Sequence, residues 1–169
     1  MVEAGVLRED EPVELLGGAL VIVTPQGPEH ADAATALRDI LLDAYRGQRV
    51  VVREDKPLAL GPSDLPEPDL AVVRGERGTF AARHPRGDEA ALVIELARTS
   101  LATDRAKATT YATGGVGVFW LVDMQARRLE IHSEPHADGR YAAVRVLAAD
   151  DAAELPGTGA TVRLADFLR

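Results

Sequence analysis

The sequence predicts a mixed β-sheet packed by two helices, an α+β or mixed α/β class. Three observations carry this. Two stretches of about 15 residues show helical periodicity, short apolar runs bounded by Gly and Pro fill most of the remainder, and one of those runs, Ala90-Ala91-Leu92-Val93-Ile94-Glu95-Leu96-Ala97, is apolar enough to be buried on both faces. The 169 residues are 46% hydrophobic and 27% charged, enough chain for one core, so a single domain spanning 1–169 is expected.

The elements follow in order. Val13-Glu14-Leu15-Leu16, the Gly17-Gly18 turn and Ala19 to Val23 read as a hairpin. Thr24-Pro25-Gln26-Gly27-Pro28 breaks it, and Ala34, Leu37, Leu41 and Tyr45 then recur at helical spacing over 29–45, with Gly47 as a stop. Arg49 to Arg53 and Pro57 to Leu60 are strand-like. After a Gly-Pro-rich loop come strands at Asp69 to Arg74 and Ala90 to Ala97, separated by a polar loop. Ser100 or Thr103 is placed to cap a helix that ends at Gly114-Gly115. Strands are expected over 118–123, 128–132 and 141–147, with a short one around Val162-Arg163-Leu164.

Composition excludes several chemistries. There is no cysteine, so disulfides, thiolate metal sites and a Cys nucleophile are ruled out. An acidic start without a long apolar run predicts a cytoplasmic protein that does not span a membrane. The net charge is −8, and Lys56 and Lys107 are the only lysines among 19 basic residues. Affinity for nucleic acid comes mainly from cations that neutralise phosphates, so any such function must rest on a local site.

Glu95 is the residue that needs explaining. A carboxylate inside a buried strand requires a cation, a metal or a strong hydrogen-bond donor. If strands 69–74 and 90–97 pair antiparallel with Arg74 opposite Ala90, Asp69 falls opposite Glu95. Leu70, Val72, Leu92, Ile94 and Leu96 then share one face, and Asp69, Ala71, Val73, Val93, Glu95 and Ala97 the other. Two facing acids repel. A divalent cation resolves that repulsion while leaving coordination positions for water and a phosphate. Lys107, on the next helix with Asp104 at i−3 and Tyr111 at i+4 on its face, can fold over this acid-bearing face to orient or activate a water, or to stabilise charge on a phosphoryl oxygen.

Pro68-Asp69, Glu95 and a following lysine in a strand–loop–strand–helix context resemble the PD-(D/E)XK restriction-endonuclease-like superfamily. Further strings narrow the resemblance: Glu14-Leu15-Leu16-Gly17-Gly18, Thr24-Pro25-Gln26-Gly27 with His30, Glu67-Pro68-Asp69, Ile94-Glu95-Leu96-Ala97-Arg98-Thr99-Ser100, Asp104-Arg105-Ala106-Lys107, and Tyr111 to Val116 with Phe119-Trp120-Leu121-Val122-Asp123. Together they are similar to a bacterial family of restriction endonucleases, abundant in cyanobacteria, long known as a domain of unknown function.

The resemblance implies a restriction-endonuclease-like core, homo-oligomers (a homodimer or larger) and a site that holds Mg2+ or Mn2+ and hydrolyses DNA. Asp69 and Glu95 would be metal ligands and Lys107 the catalytic lysine, moved from strand to helix. Glu14 and His30 would support them as a further ligand or water-positioning group. The chain departs from the superfamily at Ala97, where the lysine usually stands, and from the family at Gly17 and Gly117-Val118, where acids are common. The competing class is an inactive nuclease-fold protein acting as an oligomeric nucleic-acid-binding or regulatory module.

Simpler roles compete at each position. Asp69 could merely start a strand, Glu95 pair with Arg98 or Arg105, Lys107 pair with Asp104 on a solvated face, and His30 be a polar residue at a helix start. His84, His132 and His136 are expected at the surface, Asp123 in a turn, and Phe119 and Trp120 in the core. Arg74, Arg77, Arg83 and Arg86 offer either a DNA-backbone contact or a mixed surface.

Overall fold

The computed structural model describes residues 11–23 and 25–168. The acidic N-terminal stretch and Thr24 of the Thr24-Pro25-Gln26-Gly27 string lie outside the described residues. The elements are β1 (Val13–Leu16), β2 (Ala19–Ile22), α1 (Pro28–Ala44), β3 (Val50–Glu54), β4 (Leu70–Arg74), β5 (Ala90–Ala97), α2 (Leu101–Thr113), β6 (Val118–Asp123), β7 (Arg128–Pro135), β8 (Tyr141–Ala148), β9 (Ala153–Glu154) and β10 (Thr161–Val162).

Six strands form one sheet in the order β3-β4-β5-β6-β7-β8. The β5–β6 pair is parallel and every other pair antiparallel. A parallel pair needs a crossover, and α2 supplies it. The sheet therefore carries one core on each face. On the α1 side, Leu37 and Leu41 pack with Leu70, Val72, Leu92, Ile94, Leu96 and Trp120. On the α2 side, Tyr111 packs with Ala71, Val73, Val93, Phe119 and Leu121. Alternation along β4, and along β5 from Leu92 onward, makes this division, as the sequence predicts.

The register needs one correction. Leu70, Ala71 and Val72 face Ile94, Val93 and Leu92 as expected, but a β-bulge then sets Val73, not Arg74, against the end of β5 at Ala90. The extra residue is taken up at Ala91, which packs beside Leu92 on the α1 side, so Ala90 turns to the α2 side. The bulge lies at the far end of the pair from Asp69, so the predicted proximity of Asp69 to Glu95 is unaffected. Pro57 to Leu60 is not a strand: it makes one bridge, Ala59 with Arg86, within an irregular loop. Its N–H groups are spent on separate loop carbonyls, Leu58 on Pro66, Ala59 on Pro85 and Leu60 on Asp64, so no single neighbouring segment pairs along it.

Two turns position the site. In β1–β2, Gly17 (φ +57°) and Gly18 (φ +80°) both adopt the left-handed conformation of a tight hairpin turn. The turn is tied down by Gly17 N–H donating to Asp64 Oδ1 at 2.7 Å and Gly18 N–H to Ser63 O at 2.9 Å. At the end of α2, Gly115 N–H donates to Ala112 O and Val116 N–H to Tyr111 O, both at 3.0 Å, closing the helix as its Gly-Gly signal predicts. At the start, Ser100 holds the cap position, but its hydroxyl bonds the Asp104 carboxylate, not a backbone N–H.

Candidate active site

β1, the start of α1, the ends of β4 and β5, and the first turns of α2 enclose a cleft of about 970 Å³. All five residues singled out from the sequence line it: Glu14, His30, Asp69, Glu95 and Lys107.

Lys107 is the centre of the arrangement. Its Nζ lies 3.0 Å from Glu14 Oε2, 3.1 Å from Glu95 Oε1 and 3.7 Å from Asp104 Oδ1. The lysine is 8% exposed and Glu95 3% exposed, so the pairing on a solvated helix face is replaced by a buried cluster. Arg98 and Arg105 are occupied by Glu29 and Glu130 and do not serve Glu95. Burial opposes the charge on Lys107, but Glu95 and Glu14 outweigh it and hold the ammonium above its ordinary range. A lysine so held remains protonated at neutral pH. It can donate hydrogen bonds and stabilise negative charge, but it cannot abstract a proton from water.

Glu95 is pushed well above the usual carboxyl range by burial; the Lys107 charge opposes the shift, and Asp69 and Asp104 add to it. The Tyr111 hydroxyl donates to Glu95 Oε1 at 2.6 Å, and Lys107 donates to the same oxygen. Both contacts fall on Oε1, which leaves Oε2 without a hydrogen bond among the described residues.

Asp69 stands just before β4 and is more than a strand-starting turn. Its Oδ2 accepts the Leu96 backbone N–H at 2.6 Å and lies 3.2 Å from His30 Nε2, while its Oδ1 accepts from Gln26 Nε2 at 3.1 Å. Gln26 also bridges to Asp55 Oδ1 at 3.0 Å. His30 reaches Asp69 because the first turn of α1 directs it inward with Ala33, Ala34 and Leu37. Burial lowers the affinity of His30 for a proton, but the hydrogen bond to Asp69 and the charges of Asp69 and Asp55 raise its pKa overall.

The donor set suits a hard divalent cation. Glu14, Asp55, Glu67, Asp69, Glu95 and Asp104 line the cleft against Lys107, Arg98 and His30. Asp55, Glu67 and Asp104 are also shifted upward, chiefly by burial and in part by neighbouring acids, Asp69 acting on Asp55 and Asp104 and Glu14 on Glu67. Among the described residues, no three His, Asp or Glu side chains are gathered into a metal cage.

Several participants were missed from sequence. Tyr111 had its signal, being at i+4 from Lys107. Glu67 stands in the Glu67-Pro68-Asp69 string. Asp55 sits at φ +47° after β3, and nothing in the sequence marks that conformation. Elsewhere, His132 is buried against Phe119 and Tyr141 instead of lying at the surface. Phe119 and Trp120 are core residues, Asp123 accepts the Ala126 N–H in a turn, and His84 and His136 are exposed. Arg83 and Arg86 are engaged by Glu89 and Asp88, a mixed surface.

The chain matches the model of the Uma2 family, described as "Putative restriction endonuclease", over residues 3–165. It belongs to that family. Among solved structures, it is similar to one described as a "putative nuclease belonging to DUF820" from Anabaena variabilis ATCC 29413. That likeness has a TM-score of 0.79 at 17% identity and covers 98% of this chain and 95% of that one. At that identity the likeness establishes the fold, and it agrees with the restriction-endonuclease-like core. No curated protein matches. No helix among the described residues of this Uma2-family chain is long and apolar enough to cross a membrane.

Proposed function

We propose that the protein is a divalent-metal-dependent endonuclease that hydrolyses phosphodiester bonds of DNA, with Asp69 and Glu95 holding Mg2+ or Mn2+ and Lys107 as the catalytic cation. The observation that carries this reading is the buried Lys107–Glu95 contact at 3.1 Å, with Glu95 Oε2 left open at a cleft that Asp69 also lines. Membership of a family described as restriction endonucleases supports it, as does the shared fold with a protein described as a nuclease.

A bound divalent cation neutralises the phosphate and lowers the pKa of a coordinated water. The remaining work belongs to side chains. Leu96 N–H, Gln26 and His30 orient Asp69 from three sides. Tyr111 and Lys107 fix Glu95 through one oxygen and leave the other for a ligand. Glu14 anchors the Lys107 ammonium, which donates to oxygen charge developing on the phosphate or to the attacking water. A homodimer or larger homo-oligomer would widen the surface offered to DNA by a subunit of net charge −8.

The test is conversion of supercoiled plasmid in Mg2+ or Mn2+. Wild type should nick or linearise it, and Asp69→Ala and Lys107→Ala should not. Activity that survives both changes refutes the assignment. The second reading is an inactive nuclease-fold module that binds nucleic acid or regulates as an oligomer. The ion pairs that already commit Glu14 and Glu95 to Lys107 favour it, and it predicts no calorimetric Mn2+ binding.

A further inference from the structure

β3 leaves one cation without an acid. Arg53 faces Ala71 across the β3–β4 ladder, so its side chain shares the sheet face of Ala71, Val73 and Asp69. Asp55, which lines the cleft, is two residues further on, just past the end of the strand. Arg53 is half-buried, yet it forms no ion pair among the described residues. Its Nη2 reaches only the Pro57 carbonyl at 3.4 Å, and its buried Nε has no hydrogen-bond partner. Burial without compensation also lowers its hold on the proton.

The contrast with Arg83 is informative. Both guanidinium groups lie over the Phe80 ring, at 5.9 Å for Arg53 and 5.3 Å for Arg83, but Arg83 is neutralised by a bidentate pair with Glu89. Lys56, the other lysine of the chain, is exposed on the same segment. It donates to the Asp55 carbonyl at 3.1 Å and forms no salt bridge among the described residues, although its charge reaches Glu67. A chain with 27 acids against 19 Lys and Arg has acids to spare, so two cations without a salt bridge, flanking the Asp55 that lines the cleft, need a reason. A partly buried cation with an unused donor costs free energy until an anion arrives.

We infer that Arg53 and Lys56 form an anion subsite that takes a backbone phosphate of the DNA strand, next to the phosphate held at Asp69 and Glu95. The inference rests on the nuclease reading and extends it to substrate positioning. Arg53 presents a planar fork pre-set by Phe80, and Lys56 adds a mobile ammonium at the rim. Both contact the substrate away from the bond that breaks, so they contribute binding and register.

The experiment measures binding of a fluorescein-labelled DNA duplex by anisotropy from 50 to 300 mM KCl, with Ca2+ replacing Mg2+. Wild type is compared with Arg53→Gln/Lys56→Gln, Arg53→Lys, Lys56→Glu and the remote surface change Arg46→Gln. Loss of one neutralised phosphate flattens the slope of log K against log[salt] by about 0.9. The double variant should show that change, Lys56→Glu should flatten the slope by itself, and Arg53→Lys and Arg46→Gln should keep the wild-type slope. If Arg53→Gln fails to fold, Lys56→Glu with Arg53→Lys decides the question. A wild-type slope in Lys56→Glu and in a folded double variant overturns the subsite and leaves the nuclease reading standing. Absence of salt-dependent DNA binding by wild type overturns both.

Discussion

Replacing Lys107 by Met removes the one ammonium shared by Glu14, Glu95 and Asp104 while keeping the length of the side chain. Breaking a buried ion pair by deleting one partner costs about 3–5 kcal/mol, because the surviving charge stays buried. Two of these carboxylates lie within 3.1 Å of Nζ, which places the loss in the upper part of that range at pH 8. The sign of the pH dependence follows from Glu95. Its folded pKa is already raised above the ordinary carboxyl value, and without Lys107 it rises further. A raised folded pKa means the folded state binds the proton more tightly, so the penalty is greatest at high pH and shrinks as pH falls toward the unfolded value of about 4.3. Mg2+ at 100 times its Kd should return about 2.7 kcal/mol by mass action. Urea unfolding at pH 5 and 8, with and without Mg2+, measures all three quantities. A variant within 1 kcal/mol of wild type at pH 8, or equally destabilised at pH 5, refutes the picture of an uncompensated buried carboxylate.

Three further outcomes are expected. Tyr111→Phe deletes the 2.6 Å bond to Glu95 and should lower unfolding free energy by about 1–3 kcal/mol in urea titrations, with no change in the far-ultraviolet spectrum. Gly87→Ala should destabilise by at least about 1–3 kcal/mol, seen as a lower melting temperature, because the added methyl carbon would sit 2.2 Å from the Gly114 carbonyl oxygen. Glu89 is held down to about 2, first by its hydrogen bonds from Arg83 and then by the Arg86 N–H. A depressed carboxyl stabilises above its unfolded pKa and loses that contribution as pH falls, so the stability gap between wild type and Glu89→Gln should be flat above pH 5 and close toward pH 2.

Much of this architecture was legible because the sheet is two-sided. Alternation in Leu70 to Val73 and Leu92 to Ala97 assigns each residue to a core and sends Asp69 and Glu95 to the same face. The bulge at Val73 was not legible, since Ala90 and Ala91 are small apolar residues that fit either face. The place of Lys107 on α2 could be read, but its burial depended on Glu14 arriving from a hairpin 93 residues away. The long-range partners of Asp69 were hidden for a related reason. The Leu96 N–H is a backbone donor freed where the β4–β5 ladder ends, and no side-chain pattern advertises it. Pro57 to Leu60 shows the opposite error: an apolar run reads as a strand until the loop carbonyls around it decide where its hydrogen bonds go.

The central claim is that Asp69 and Glu95 together hold the divalent ion. A crystal grown with Mn2+ and measured for anomalous scattering tests it directly. The account predicts one peak in the cleft, within about 2.2 Å of an oxygen of each carboxylate, and loss of that peak in Glu95→Gln crystals. A peak bound elsewhere, or none at saturating Mn2+, contradicts it.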